Sequence, residues 1–455
     1  MKLATYFEQY RGKKILVLGL GVSNRPLVRL LLQFGMNVTG CDRTPREKLE
    51  EEVLELERQG LKLKIGEGYL ENLEADVVFR TPGMLPTRPE IQKLAQQGAE
   101  ITSEMEAFFA VCPCMMIGIT GSDGKTTTTT LISEMLKAAG RTVFLGGNIG
   151  TPLLPLSDDM QENDVAVVEL SSFQLMDMQH SPHVAVVTNL APNHLDTHGD
   201  MNEYIEAKKQ LFLHQKDNDI LVVNRDNEIT EGFAPEAAGA VRRFSRREWL
   251  EQGVCLKDGV IYRDGEVLMQ QSDILLPGIH NVENYMAAIC AVQGMVPDES
   301  ILQVARNFGG VEHRIELVRV KDGVSYYNDS IASSPTRTIA GLRSFKEKVI
   351  LIAGGYDKNI PYDVLGPEIC EHVKTLVLTG ATAPKIRKAT EDAVQSGMTG
   401  PEILEVEDFY NAIRKAASCA KSGDVVILSP ASASFDHFKN FMVRGNEFKR
   451  TVHEL

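Results

Sequence analysis

Residues 115–127, Met115-Met116-Ile117-Gly118-Ile119-Thr120-Gly121-Ser122-Asp123-Gly124-Lys125-Thr126-Thr127, decide the fold of this chain. The first six carry no charge and read as a buried strand. After the turn, Leu131, Ile132, Met135 and Leu136 recur at helical spacing. Gly121, Ser122, Asp123 and Gly124 therefore occupy a strand-to-helix junction, where glycines let backbone N–H groups converge on phosphate oxygens and the helix N-terminus adds positive potential. Lys125 supplies a point charge, and the Thr126 hydroxyl is placed for Mg²⁺. The residue six before Lys125 is Ile119, so this is a short G-x-x-G-K-T loop rather than the longer Walker form. Thr126 and Thr127 fit a nucleotide role. Thr128 to Thr130 find no explanation in a pattern that otherwise favours better helix formers.

The same alternation of apolar strand and helix extends in both directions, which predicts βαβ units with parallel sheets. Upstream, Ile15–Leu18 enters Gly19-Leu20-Gly21, followed by a helix with Leu27, Val28 and Leu31, a strand from Asn37 to Cys41, and Asp42 at its end. Gly19-x-Gly21-x-x-Asn24 lacks the third glycine of a dinucleotide fingerprint, and a mononucleotide or nucleotide-sugar fits as well. Downstream, strands are predicted at 165–168, 184–187 and 220–223. Asp258-Gly259 and Asp264-Gly265 then mark an antiparallel excursion with tight hairpin turns. A third set of strands begins after Arg314. The 455 residues thus divide into three α/β domains, 1–103 with the dinucleotide-like turn, 104–311 with the phosphate loop, and 312–455.

Composition excludes several classes. Hydrophobic residues make up 43% and charged residues 24%, the balance of a globular chain with ample core. The net charge of −14 argues against a nucleic-acid groove or an anionic membrane surface as partner. Seven scattered cysteines make no disulfide or zinc framework. The opening MKLATYFEQYRGKK lacks a signal-peptide core, and no apolar run reaches the roughly 18 residues of a membrane span. A cytoplasmic, monomeric enzyme is expected.

Glu169 follows the strand at 165–168, and His194 lies past the strand at 184–187, so Lys125, Glu169 and His194 sit at successive strand ends, where open α/β sheets bind ligands. Lys208, read by residue type alone, is a solvated lysine on a helix.

Ten ordered motifs carry a family resemblance: GITGSDGKTT, GGNIG (146–150), VVELSSFQL (167–175), NHLD (193–196), EAK (206–208), LPGIHNVEN (276–284), EHRIE (312–316), YYNDS (326–330), AGGYDK (353–358) and LSPASASFDHFKNFMVRGNEF (428–448). Together they resemble the Mur ligases, and the last points to the D-glutamate-adding branch. The resemblance implies Rossmann-like domains at 1–103 and 312–455 around a central ATPase domain at 104–311, and ATP-dependent, ADP-forming amide synthesis through an acyl phosphate, with UDP-N-acetylmuramoyl-L-alanine and D-glutamate as substrates. It implies that Gly121 to Thr127, Asn281, Asn284, Arg314 and Asp329 contact ATP. Thr126, Glu169, His194 and a carbamylated Lys208 would serve two Mg²⁺ ions. Ser23, Asp42, Arg43 and Thr44 fall in the uridine region, and Asn148, Ser171, Gln174 and His194 in the muramoyl-alanyl region. Lys358, Ser434 and Phe441 match the D-glutamate pocket. One position departs from the pattern: after Asn328-Asp329-Ser330 many members carry lysine, and here Ile331 stands instead, so either another cation such as Arg337 or Lys358 compensates or the pocket holds its amino acid differently.

Overall fold

The computed structural model describes residues 1–192, 198–358 and 360–455. Its backbone contains three sheets. The first has five parallel strands: Lys62–Ile65, Asn37–Asp42, Lys14–Leu18, Val77–Arg80 and Glu100–Thr102 in spatial order. The order reverses between Lys14–Leu18 and Val77–Arg80, so the crevice for a ligand opens beyond Leu18 and Arg80. The second has nine strands, with Met115–Thr120 between Val165–Glu169 and Val184–Val187. Only Val254–Lys257, Val260–Arg263 and Glu266–Gln270 run antiparallel to one another, which is the predicted excursion. Asp258, Gly259, Asp264 and Gly265 all have positive φ, as two-residue hairpin turns of the primed type require. In the third sheet Glu316–Lys321 pairs antiparallel with Val324–Asn328, and the other four strands are parallel.

The strands at 15–18, 165–168 and 349–352 are apolar throughout because both faces of each sheet are covered. By packing, the chain divides into two compact units: Met1–Asp273 with Glu283–Val304, and Ile274–Val282 with Ala305–Leu455. The first two sheets share a unit because one apolar cluster runs through both, including Phe7, Leu27, Phe108, Leu154, Val168 and Leu211. The helix Asn24–Gln33 lies against Leu154–Leu156. In the second unit separate clusters cover the two faces of the sheet, one around Leu351 and Leu376, the other around Ile350 and Phe448. All seven cysteines are free thiols, and among the described residues no helix is long and apolar enough to cross a membrane.

Candidate active site

The loop Gly121–Gly124 leaves the strand Met115–Thr120 and enters the helix Lys125–Ala138. Two of its residues must be glycine. A Cβ on Gly121 would lie 1.9 Å from Thr188 Oγ1, and one on Gly124, where φ is +77°, would lie 2.2 Å from Asn284 Oδ1. The loop is braced from several sides. Ser122 Oγ donates to the Ala191 carbonyl at 2.9 Å and meets the Tyr204 hydroxyl at 3.0 Å. Thr188 Oγ1 donates to the Asp123 carbonyl at 2.7 Å. Lys125 Nζ folds back to donate to the carbonyls of Gly121 at 2.9 Å and Ser122 at 3.0 Å. The helix threonines now have an account in part. Thr128 Oγ1 donates to Asn284 Oδ1 at 3.4 Å, and Thr130 Oγ1 donates to the Thr126 carbonyl at 2.8 Å. Thr126 and Thr127 are buried at the helix start.

Glu169 ends the neighbouring strand and is 1% exposed. Asn148 Nδ2 donates to its Oε1 at 2.8 Å, while its buried Oε2 accepts from no donor among the described residues. Leaving a buried carboxylate oxygen unpaired is unfavourable. A hard divalent cation, which takes one or two protein carboxylates together with phosphate oxygens and water, fits that atom.

Lys208 overturns the reading by residue type. It lies on the helix Met201–Leu213, is 1% exposed, and donates to Gly121 O at 3.0 Å and Thr120 Oγ1 at 3.1 Å. Its ammonium also sits over the Tyr204 ring, 4.8 Å from the centroid. Burial, and then the charge of Lys125, push its pKa well below the ordinary lysine range, against the pull of Glu169. The amine is thus biased toward its neutral, nucleophilic form.

Ser171 and Gln174 build the capping box of the short helix Ser172–Leu175, with Ser171 N donating to Gln174 Oε1 at 2.9 Å. His198 Nε2 bonds Ser172 Oγ at 2.9 Å, and its ring stacks on Phe173 with centroids 4.8 Å apart. His194 lies outside the described residues. Asn281, one turn before Asn284 on the helix Ile279–Val292, donates to the Pro277 carbonyl at 2.7 Å.

In the first sheet, Asp42 Oδ2 accepts from Leu20 N at 2.7 Å and Oδ1 from Thr44 N at 2.9 Å. Burial opposes its ionisation, but these backbone donors outweigh burial and leave the carboxyl below its ordinary range. Asn24, in place of the third glycine, is buried and donates to Gly19 O at 2.8 Å, closing the turn. Ser23 and Arg43 are exposed beside it.

In the second unit, Asp329, Gly354 and Ser429 follow three adjacent strand ends. Asp329 is buried, and burial raises its carboxyl to about 7 although Ser429 Oγ donates to it at 2.7 Å. Arg314 lies between His313 and Ile315, both at positive φ, which for a β-branched isoleucine is strained. Lys358 is exposed, Ser434 is buried, and Phe441 opens the last helix with its carbonyl accepting from Ser330 Oγ at 2.8 Å. Arg337 Nη1 donates to the carbonyl of Ile331 at 3.3 Å.

Arg444 and Tyr204 are among the residues that escape the sequence reading. Arg444, 2% exposed, donates to the carbonyls of Ser330, Ser432 and Ala433 at 2.8–3.0 Å and so ties two loops to the last helix. Tyr204 links Ser122 to Lys208. Arg444 stands inside the last quoted motif, which was the available signal, while Tyr204 lies outside the motifs, one turn before Lys208 on the same helix.

The chain matches the model of the Mur ligase middle domain over residues 119–292 and that of the Mur ligase glutamate ligase domain over 313–432. It is 53% identical to the UDP-N-acetylmuramoylalanine–D-glutamate ligase of Acetivibrio thermocellus, covering 100% of this chain and 99% of the relative. Against the ligase of the same name from Clostridium novyi it is 51% identical over 98% and 97% of the two chains. Among solved structures, the UDP-N-acetylmuramate-alanine ligase of Thermotoga maritima shares the fold at a TM-score of 0.59 and 18% identity, over 97% of this chain and 99% of that one.

Proposed function

The chain belongs to the Mur ligase family, and from that premise we propose that it joins D-glutamate to UDP-N-acetylmuramoyl-L-alanine, cleaving ATP to ADP and phosphate, in peptidoglycan precursor synthesis. The observation that carries this reading is the full-length 53% identity to a D-glutamate ligase. The half-buried Lys125 and the buried Glu169 and Lys208, gathered at the ends of neighbouring strands, agree with it.

A carboxylate is a poor acylating agent. In the reading proposed, an oxygen of the alanyl carboxylate attacks the γ-phosphorus of ATP, the bond to ADP breaks, and an acyl phosphate forms. The neutral amine of D-glutamate then attacks the acyl carbon, phosphate leaves, and the amine gives up a proton to a neighbouring acceptor. Because two anions approach each other, positive charge must be organised around the transferring group. Loop N–H groups of Gly121 to Thr127 and the Lys125 ammonium hold phosphate oxygens. Asn281, Asn284, Arg314 and Asp329 complete the ATP contacts. Mg²⁺ would supply further charge neutralisation, held by Thr126 and Glu169, with a second ion at His194 and Lys208.

The burial of Lys208 supports reading it as a carbamate: a neutral amine would add to CO₂, forming an N–C bond and releasing one proton, and the product would be an anion able to ligate a cation. The UDP-linked substrate would run from Ser23, Asp42, Arg43 and Thr44 to Asn148, Ser171, Gln174 and His194. Lys358, Ser434 and the backbone of Phe441 would take the two carboxylates of D-glutamate. The functional domains in this reading are 1–103, 104–311 and 312–455, acting as a cytoplasmic monomer.

The test is phosphate release from ATP with Mg²⁺ and UDP-N-acetylmuramoyl-L-alanine over a panel of D- and L-amino acids. Release dependent on D-glutamate, with the ligated product found by mass, is expected. Release with a different amino acid would reassign the specificity, and none at all would sink the reading.

A further inference from the structure

Arg80 joins the first sheet to the segment carrying Ser171 and Gln174 through a buried charge. It is the last residue of the strand Val77–Arg80 and is 1% exposed. Its Nε donates to Asp177 Oδ2 at 2.6 Å, and a second nitrogen donates to Asp177 Oδ1, a side-on pair. Its Nη2 also donates to the Phe173 carbonyl at 3.1 Å, inside the helix Ser172–Leu175, and Nη1 to the Met84 carbonyl at 3.3 Å.

Each end of this clamp adjoins a candidate binding element. On one side Thr81 follows directly and fills the space beside Gly19, where a Cβ would lie 2.8 Å from Thr81 Cγ2. The turn at 81–83 and the turn at 19–21 therefore form the two walls of the crevice at the strand-order reversal. On the other side Phe173 lies between Ser171 and Gln174, four residues past Glu169, the last residue of its strand. A planar guanidinium with four donated bonds to two backbone carbonyls and one carboxylate leaves little freedom in translation or rotation.

We propose that Arg80 is a positioning residue: it fixes the separation between the 19–21/81–83 crevice and the 171–177 segment, so that a substrate anchored by its nucleotide in the first presents its carboxylate correctly at the second. The proposal rests on the functional reading above, in which one long UDP-linked substrate touches both places. The strength of such a device lies in geometry, because a displacement of about 1 Å at the reacting carboxylate costs on the order of 100-fold in rate.

The experiment compares Arg80→Met, Arg80→Lys and Asp177→Asn in the full chain. Asp177 keeps 23% of its side chain exposed, so water can reach the carboxylate that Arg80→Met leaves unpaired. Calorimetric binding of UDP alone, of ADP, and of UDP-N-acetylmuramoyl-L-alanine is measured with kcat and KM for ligation. The expected result is that UDP and ADP bind as in the wild type. The advantage of the whole substrate over UDP collapses, kcat/KM falls by about 100-fold, and Arg80→Lys recovers part of the loss. Unchanged kcat/KM in a folded Arg80→Met, with Asp177→Asn likewise unchanged, overturns the proposal. So does a loss of UDP affinity equal to that of the whole substrate, since Arg80 would then support only its own sheet. Failure of the functional reading looks different: the wild type itself would release no phosphate.

Discussion

The side-chain nitrogen of Lys208 lies 3.0 Å from the carbonyl oxygen of Gly121, within the phosphate loop itself and shielded from solvent. A lysine so placed contributes nothing to solubility and is held away from its charged form. Replacing it by alanine is expected to lower phosphate release by about 100-fold or more. Part of that loss should return when a short-chain carboxylate is added to stand in for a carbamate. Full activity in Lys208→Ala would remove this residue from the mechanism.

Glu169 offers a second test, because one of its oxygens is engaged by Asn148 and the other by no donor among the described residues. Glu169→Gln preserves shape and removes the charge. Activity should fall by about 100-fold, with the Mg²⁺ concentration for half-maximal rate displaced upward. An unchanged Mg²⁺ titration would show that the metal is held elsewhere.

Stability should carry a pH signature from Glu104, on the first turn of the helix Glu104–Val111. Burial raises its carboxyl to about 7, against a single donor, the Leu154 N–H at 3.3 Å. The folded state therefore holds a proton that the unfolded chain releases near its ordinary value of 4.5. The favourable contribution is complete below about 4.5 and is lost as pH rises through about 7. Glu104→Gln should melt like the wild type at pH 5 and above it at pH 8, by an amount on the order of 3 kcal/mol. Melting curves that stay parallel across this range would contradict the assignment.

Arg337 bears on the missing lysine at position 331. Its guanidinium reaches the Ile331 carbonyl, and its charge acts on Asp329. Arg337→Ala is expected to raise KM for D-glutamate about tenfold, the worth of one charged hydrogen bond, and to leave KM for the UDP-linked substrate alone. If both constants stay put, the pocket does without a cation from this helix.

What the sequence made legible was local. The glycine loop at 121–124, the strand starts and the two Asp-Gly hairpins each depend on residues a few positions apart, and all are found where their patterns lie. Arg80 and Arg444 were not legible, because their meaning depends on partners 97 and 114 residues away. Thr128 meets Asn284 across 156 residues, which is why the threonine run had no explanation within its own helix. Lys208 was misread by type because helical periodicity says which face a residue occupies but not what packs on that face. Tyr204, one turn earlier, is buried on the same side.

The apolar cluster shared by the first two sheets has a consequence for how the chain is made. Phe7 and Leu27 emerge from the ribosome long before Leu154, Leu211 and Phe233, which complete the same cluster. A nascent chain that ends near residue 103 has its first sheet's strands but lacks part of the covering for its apolar surface. The first unit should thus consolidate late, in one cooperative step, and the early fragment is the species most in need of a chaperone.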